Sequence, residues 1–240
     1  MNMILIGAQG SGKGTQAQAL ARELHLQPTA SGDLLREAIA SETPLGRAAK
    51  PYVERGDLVP DTLVVEMILD SIRSLNGAQG IILDGFPRNI AQAETLDARL
   101  LELGQAIDAV VYLDVPREQL LDRLNGRYIC RAHGHVWNMK THPPTVAGVC
   151  DYDGSDLYQR SDDQPDKIAH RLDIFFNETI HLLEYYGPQG KLIRVDGTGS
   201  IEDVHRAIRA GLDRLERLAP LKGALAPVPP QTVSLQEIAG

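Results

Sequence analysis

The segment Gly7-Ala8-Gln9-Gly10-Ser11-Gly12-Lys13-Gly14-Thr15 carries the clearest chemical signal in this 240-residue chain. It follows the apolar run Met3–Ile6 and opens a helical pattern. Glycines at this spacing let backbone N–H groups turn inward around phosphate oxygens. The helix N-terminus adds partial positive charge, and Lys13 reaches the outer phosphates. The strict motif puts Ser or Thr directly after the lysine, whereas here Gly14 precedes Thr15. The ligand such a loop takes is a nucleoside triphosphate, held by Gly10, Ser11, Gly12, Lys13, Gly14 and Thr15.

A second constellation is the pair Cys130-Arg131-Ala132-His133 and Cys150-Asp151-Tyr152-Asp153, with sixteen residues between the two segments. Paired knuckles of this spacing offer four ligands to a tetrahedral zinc: Cys130, His133, Cys150 and Asp153. The harder imidazole and carboxylate donors also accept iron or cobalt. Four protein ligands leave no open coordination position, so the metal is expected to be structural. The alternatives are a Cys130–Cys150 disulfide and a metal-free polar cluster. His135 and His142 are read as solvated imidazoles outside the set.

These groups need a scaffold to hold them. Apolar runs at Met3–Ile6, 81–83, 109–113 and 192–195 read as strands buried on both faces, with a weaker fifth around 28–31. Helical patterns lie between them, over 12–23, 32–41, 45–55, from Asp61 to near Asn76-Gly77, from Pro116 through Leu124, over 165–186 as one helix, and over 201–218. This alternation predicts a parallel α/β sheet. Residues 126–163 lack apolar periodicity, and 219–240, with Pro220, Pro227, Pro229 and Pro230, read as a flexible tail.

Composition narrows the class. With 43% apolar and 23% charged residues the chain is an ordinary globular one. No apolar run approaches the ~20 residues that span a bilayer. Met1-Asn2-Met3 leads straight into the first strand, a start that argues against a secretory signal. A net charge of −8 argues against nucleic-acid and anionic-membrane partners, and two cysteines are too few for a disulfide scaffold. A cytoplasmic protein is expected.

The Gly-Lys-Gly-Thr form of the loop is that of the nucleoside monophosphate kinases, and further segments match in order. Ser31-Gly32-Asp33-Leu34-Leu35-Arg36 resembles that family's Ser/Thr-Gly-Asp-x-Leu-Arg segment. Asp84-Gly85-Phe86-Pro87-Arg88, with Gln92 four residues on, resembles its Asp-Gly-Phe-Pro-Arg motif. Arg123, Arg127, Arg160-Ser161-Asp162-Asp163 and Arg171 resemble its lid and hinge arginines, and Asp196-Gly197-Thr198-Gly199 its loop beside the donor base. Across residues 1–217 the chain resembles the adenylate kinases of the long-lid bacterial type.

That resemblance implies a P-loop NTPase-type α/β fold, a parallel five-stranded sheet flanked by helices and carrying two inserted flaps. The core would be 1–29, 60–125 and 164–218, the AMP-binding flap 30–59, and the metal-binding lid 126–163. It implies transfer of the terminal phosphoryl group of Mg·ATP to AMP, giving two ADP. Lys13, Arg88, Arg123, Arg160 and Arg171 would be catalytic. Arg127, Val136, Trp137 and Gly199 would join the phosphate loop around ATP, although Trp137 serves equally well as filling for a small lid core. AMP would meet Ser31, Arg36, Asp57, Leu58, Val59, Gly85, Phe86, Pro87, Arg88, Gln92, Arg160 and Arg171. Asp84 would orient the water shell of Mg²⁺. The chemistry suits these residue types: the acceptor oxygen is already anionic, so cations that align two polyanions matter more than a base. The competing readings are a kinase for UMP or CMP, a GTP-dependent donor site, and a non-catalytic nucleotide- or zinc-binding regulator. A monomer is expected.

Overall fold

The computed structural model describes residues 1–73, 80–160 and 162–224. Five parallel strands form the central sheet: β1 (Met3–Ile6), β2 (Gln27–Ala30), β3 (Ile81–Asp84), β4 (Ala109–Asp114) and β8 (Leu192–Asp196), in the order β2-β3-β1-β4-β8. Side chains alternate across a strand, so each buried run feeds two cores. Ile4, Ile6, Leu83, Val110 and Tyr112 pack on one face. Their neighbours Met3, Leu5, Ile82, Val111 and Leu113 pack on the other. This two-sided burial is why β1, β3 and β4 read as unbroken apolar runs; the run at 192–195, expected to be buried on both faces, is an edge strand that exposes Arg194.

Helix α1 (Lys13–Leu24) and helix α9 (Ile201–Ala224) cover the second face through Ala17, Leu20, Val204, Ile208 and Leu212. The first face is covered by α4 (Asp61–Arg73), α5 (Ile90–Glu102), α6 (Arg117–Asn125), α7 (Pro165–Asn177) and α8 (Leu182–Tyr186). Between β2 and α4 lie α2 (Ser31–Ala40) and α3 (Pro44–Arg55). Between α6 and α7 sits a separate three-stranded antiparallel sheet, β6-β5-β7, of β5 (Arg127–Cys130), β6 (Val136–Asn138) and β7 (Leu157–Tyr158). Its own core is small: Cys130, Trp137 and Cys150, with Tyr128, Met139 and Leu157 partly buried around them. No helix among the described residues is long and apolar enough to cross a membrane.

The elements differ from expectation in three places. The single helix foreseen over 165–186 breaks at Glu178 (φ −124, ψ −60), and a 3₁₀ turn, Thr179–His181, links α7 to α8. Asn177 and Thr179 are weak helix formers, while the buried series Phe175, Thr179, Leu182 and Tyr186 keeps its seat on the core across the break. The last helix runs past 218 to Ala224, so the start of the expected tail is helical; Pro220 removes one N–H from the ladder without ending it. Ser31 opens α2 and does not close β2. The expected end of α4 near Asn76-Gly77, Ser161, and the tail from 225 onward lie outside the described residues.

The sheet is open, with β2 at one edge and β8 at the other. β2 carries Pro28, and the N–H of Gln27 donates to the carbonyl of Gly80 at 2.9 Å, so the alternation of the strand turns the Pro28 nitrogen to the open side. Helices α2 and α3 meet closely through Gly46: a Cβ there would lie 2.0 Å from the Ala38 carbonyl oxygen. Pro44 at the first turn and the Thr43 hydroxyl, which accepts from the Gly46 N–H at 3.0 Å, fix that corner. Gly46→Ala must push the two helices apart; a loss of about 1–3 kcal/mol is expected, read as a lowered midpoint in urea unfolding.

Candidate active site

The phosphate loop runs from the end of β1 to the start of α1. Gly10 (φ 80) and Gly12 (φ 95) hold left-handed conformations that a side chain would strain. Lys13 folds back into the loop, its Nζ donating to the carbonyls of Gly7 at 2.7 Å and Ala8 at 3.0 Å. Burial lowers its pKa from 10.5 to about 8; Asp84 opposes the shift, and Arg88, Arg127 and Arg171 add to it. Asp84, at the end of β3, is the counterpart carboxylate. Burial raises its pKa, Lys13 pulls it back, and a Cβ on Gly14 would stand 3.5 Å from its Oδ2.

A cavity of about 790 Å³ opens above this loop. Gly10, Gly12, Lys13, Gly14 and Thr15 line it, together with Asp84, Gly85, Pro87 and Val136. Arg36, Arg88, Arg123, Arg127, Arg160 and Arg171 all face it. Arg123 is held by the carbonyls of Gly10 (3.3 Å) and Gly197 (3.0 Å), and Arg88 by the carbonyl of Gly85 (2.8 Å). Arg127 is bidentate on Asp163, and Arg171 donates to Asp162 at 2.6 Å. Arg36 is bonded to Asp33, which also stands 3.8 Å from Arg160. Arg160 keeps a buried Nε with no partner. Trp137 is buried in the small core of residues 126–163 and also lines the cavity. His142 is exposed and lies outside the cluster, with one face of its ring stacked on Trp137 at 5.1 Å.

A smaller, adjoining cavity is lined by Ser31, Arg36, Asp57, Leu58, Val59, Gly85, Arg88, Gln92 and Arg171. Ser31 donates to the Gly85 carbonyl at 2.7 Å, tying the start of α2 to the Asp84–Arg88 turn. Three of the expected residues are not among those lining either cavity: Phe86 is buried in the core, Gly199 sits in the turn between β8 and α9 against Asp203, and Ser11 is the third. Ser11 is buried too, its hydroxyl without a partner.

Three of the four expected metal ligands converge: Cys130, Cys150 and Asp153, whose donor atoms lie within 4.8 Å of one another. The imidazole in that group is His135, not His133. The Cys130 N–H donates to the His135 carbonyl at 2.9 Å, so the turn brings His135 back across from Cys130. His135 Nδ1 then lies 3.4 Å from the Cys150 sulfur and 3.3 Å from Asp153 Oδ2. His133, at the apex, has a side chain 66% exposed; its Nδ1 stands 2.8 Å from Asp153 Oδ2, and its backbone N–H donates to the Cys130 sulfur at 3.4 Å. Both cysteines are buried and free, which removes the disulfide reading in this structure.

Sequence reasoning passed over four acidic residues. Asp162 and Asp163 anchor Arg171 and Arg127, Asp33 anchors Arg36, and Asp61 holds the Gln92 amide. Two consecutive acids two and three residues after Arg160 were the available signal for the first pair.

Fold and site together define a P-loop α/β protein built to hold nucleotide phosphates between opposed arginines. The adenylate kinase family model matches residues 5–191. The chain is 44% identical to the adenylate kinase of Carboxydothermus hydrogenoformans, over 89% of this chain and all of that protein. It is 43% identical to that of Acidothermus cellulolyticus, over 88% of this chain and 97% of the other. With that of Staphylococcus aureus it shares 42%, over 90% and 100%. The chain belongs to the adenylate kinase family.

The lowered Lys13 pKa is directly measurable. In an NMR titration of the lysine side chains one lysine should titrate near 8, well apart from the rest. An unfolded lysine holds its proton up to about 10.5, so the folded protein binds fewer protons between about 8 and 10.5. This group's contribution to stability therefore rises with pH across that window.

Proposed function

We propose that this chain catalyses Mg·ATP + AMP ⇌ 2 ADP. The observation that carries the reading is one cavity with the phosphate loop on one side, six arginines around it, and a smaller cavity adjoining it at Gln92. The loop and Lys13 hold the ATP phosphates, with Arg123 and Arg127 closing over them. Arg36 and Arg88 hold the AMP phosphate. Arg160 and Arg171 bridge the two nucleotides. Ser31, Gly85, Gln92 and the backbone of Asp57, Leu58 and Val59 surround the AMP base and ribose. An AMP phosphate oxygen bonds to the γ-phosphorus as the bond from that phosphorus to the β–γ bridging oxygen breaks, and ADP leaves. No residue needs to take a proton, because the attacking oxygen is already anionic.

Asp84 is the residue that fits Mg²⁺. It is a buried carboxylate at a strand end beside Lys13, suited to orienting the ion's water shell. When bound, the ion offsets charge on the phosphates. We further propose that residues 30–59 and 126–163 are flaps that close over AMP and ATP on a core of 1–29, 60–125 and 164–218. Closure excludes water, which would otherwise take the phosphoryl group. With a net charge of −8 and few cysteines, a cytoplasmic monomer acting on free nucleotides is the accompanying proposal.

The test is the initial rate of nucleoside diphosphate formation from Mg·ATP with AMP, UMP or CMP, then with GTP as donor. Turnover with ATP and AMP alone is expected. Arg88→Ala should lower turnover by about 10³ while leaving the melting temperature near that of wild type. Turnover with UMP or CMP would overturn the acceptor assignment, and no turnover at all would favour a binding protein.

For the 126–163 segment we propose a structural metal, zinc before iron or cobalt, held by Cys130, His135, Cys150 and Asp153. A tetrahedral zinc needs donor atoms roughly 3.3–3.8 Å apart, so a group already within 4.8 Å closes on the ion with small shifts. A segment with so small an apolar core gains most from such a staple. One equivalent of metal per chain and a lower melting temperature on chelation are expected. His135→Ala should lose the metal and His133→Ala keep it; the reverse outcome would restore the ligand set expected from spacing.

A further inference from the structure

Gln92 is almost fully buried at the wall of the smaller cavity, and both ends of its amide are engaged. Its Nε2 donates to Asp61 Oδ1 at 2.6 Å, and its Oε1 accepts from the Arg88 backbone N–H at 2.7 Å. The chemistry of these neighbours fixes the amide's polarity. A backbone N–H only donates, so the oxygen must face Arg88; an ionised carboxylate only accepts, so the nitrogen must face Asp61. Asp61 is in turn oriented by Asn89, whose Nδ2 donates to its two oxygens at 3.1 and 3.3 Å. The Asn89 Oδ1 accepts from the Gln92 backbone N–H at 2.8 Å. The loop from Asp61 through Asn89 to Gln92 is therefore closed, with no freedom to rotate one member alone.

These bonds occupy one of the amide's two N–H groups and one of the two lone pairs on its oxygen. One donor and one acceptor remain. A 6-aminopurine presents the complement, an exocyclic N–H that donates and a ring nitrogen that accepts, and glutamine pairs with such an edge bidentately. A 6-oxopurine presents the reverse, an oxygen that accepts and a ring N–H that donates. To pair with it Gln92 would have to flip, setting its oxygen against the Asp61 carboxylate and its NH₂ against the Arg88 N–H. Buried polar groups left opposed in this way are costly.

We infer that Asp61 is the positioning residue that makes the acceptor site select a 6-amino over a 6-oxo purine, by locking the Gln92 amide in one orientation. The inference rests on the proposed function, which puts the acceptor base at Gln92. Asp61 itself touches no reacting atom.

The experiment compares kcat/KM for AMP with that for IMP, its 6-oxo counterpart, in wild type, Asp61→Asn and Asp61→Ser. Asn keeps the size and the helix-start position of Asp61 but can donate as well as accept, so it tolerates either amide orientation. Ser, with its own hydroxyl, serves should Asn fold poorly. Both variants should lower the AMP-to-IMP ratio about tenfold and leave the KM for ATP unchanged; the Arg88 N–H preserves part of the discrimination. In wild type without nucleotide, one Gln92 side-chain amide proton should exchange with solvent more slowly than the other. A ratio within twofold of wild type in a folded variant, or two equally fast-exchanging protons, overturns the inference. Should the wild-type enzyme not phosphorylate AMP at all, it is the proposed function that falls; a wild type that prefers AMP while the variants keep that preference sinks the inference alone.

Discussion

Lys13 and the arginines 36, 88, 123, 127, 160 and 171 face one cavity, and like charges so close repel at an energy that only nearby anions offset. The chain supplies those anions itself. Asp162, Asp163, Asp33 and Asp84 stand among the cations, and the carbonyls of Gly7, Ala8, Gly10, Gly85 and Gly197 take several of the remaining N–H donors. The rest of the structure follows from keeping this arrangement in place. The parallel sheet delivers the phosphate loop, Asp84 and the turn after β8 at the same edge, at the ends of strands where ligands of such folds gather. Helices α6 and α7 carry Arg123 and Arg171, both of which line the cavity. On the proposed function, a polyanionic ligand would take over contacts that these carboxylates and carbonyls make with the cations.

How much of this was legible follows from the range of each interaction. The inner strands β1, β3 and β4 were readable because burial on both faces leaves almost no polar position within a run, and the phosphate loop because its geometry demands glycines at fixed offsets. The resemblance located the arginines in the sequence. What it did not reveal was which acids hold them, since Asp162 and Asp163 look like any surface acids until folding sets them against Arg171 and Arg127. The imidazole that joins the Cys130 cluster differs from the expected one for a related reason. Spacing counts residues along a turn, whereas the ligand is decided by which side chain the strand pairing of β5 with β6 turns inward. The break at Glu178 was invisible because the pattern of buried residues continues through it.

The two inserted segments solve stability in different ways. Residues 30–59 fold against the core, with Leu35, Ala49 and Val59 sharing its apolar cluster and the close α2–α3 contact at Gly46. Residues 126–163 share little of that core and gather around two thiols and an indole, with polar groups of His, Asp and Ser satisfying one another at short range. A segment stabilised from within can change its angle to the sheet without unfolding, whereas one that borrows apolar contacts from the core moves only by sliding over it.

The outer strand of the sheet has a consequence for the molecule in a crowded solution. A free strand edge is a row of unmet N–H and C=O groups, a template on which a second chain can add and from which ordered aggregates grow. In β2 the proline at position 28 turns its nitrogen, bearing no hydrogen, to that open side. The strand is also only four residues long and gives way at once to the helix at Ser31. An approaching strand finds a donor missing from the middle of the ladder and too little length to recover the loss, so the α/β layer stays finite at this end.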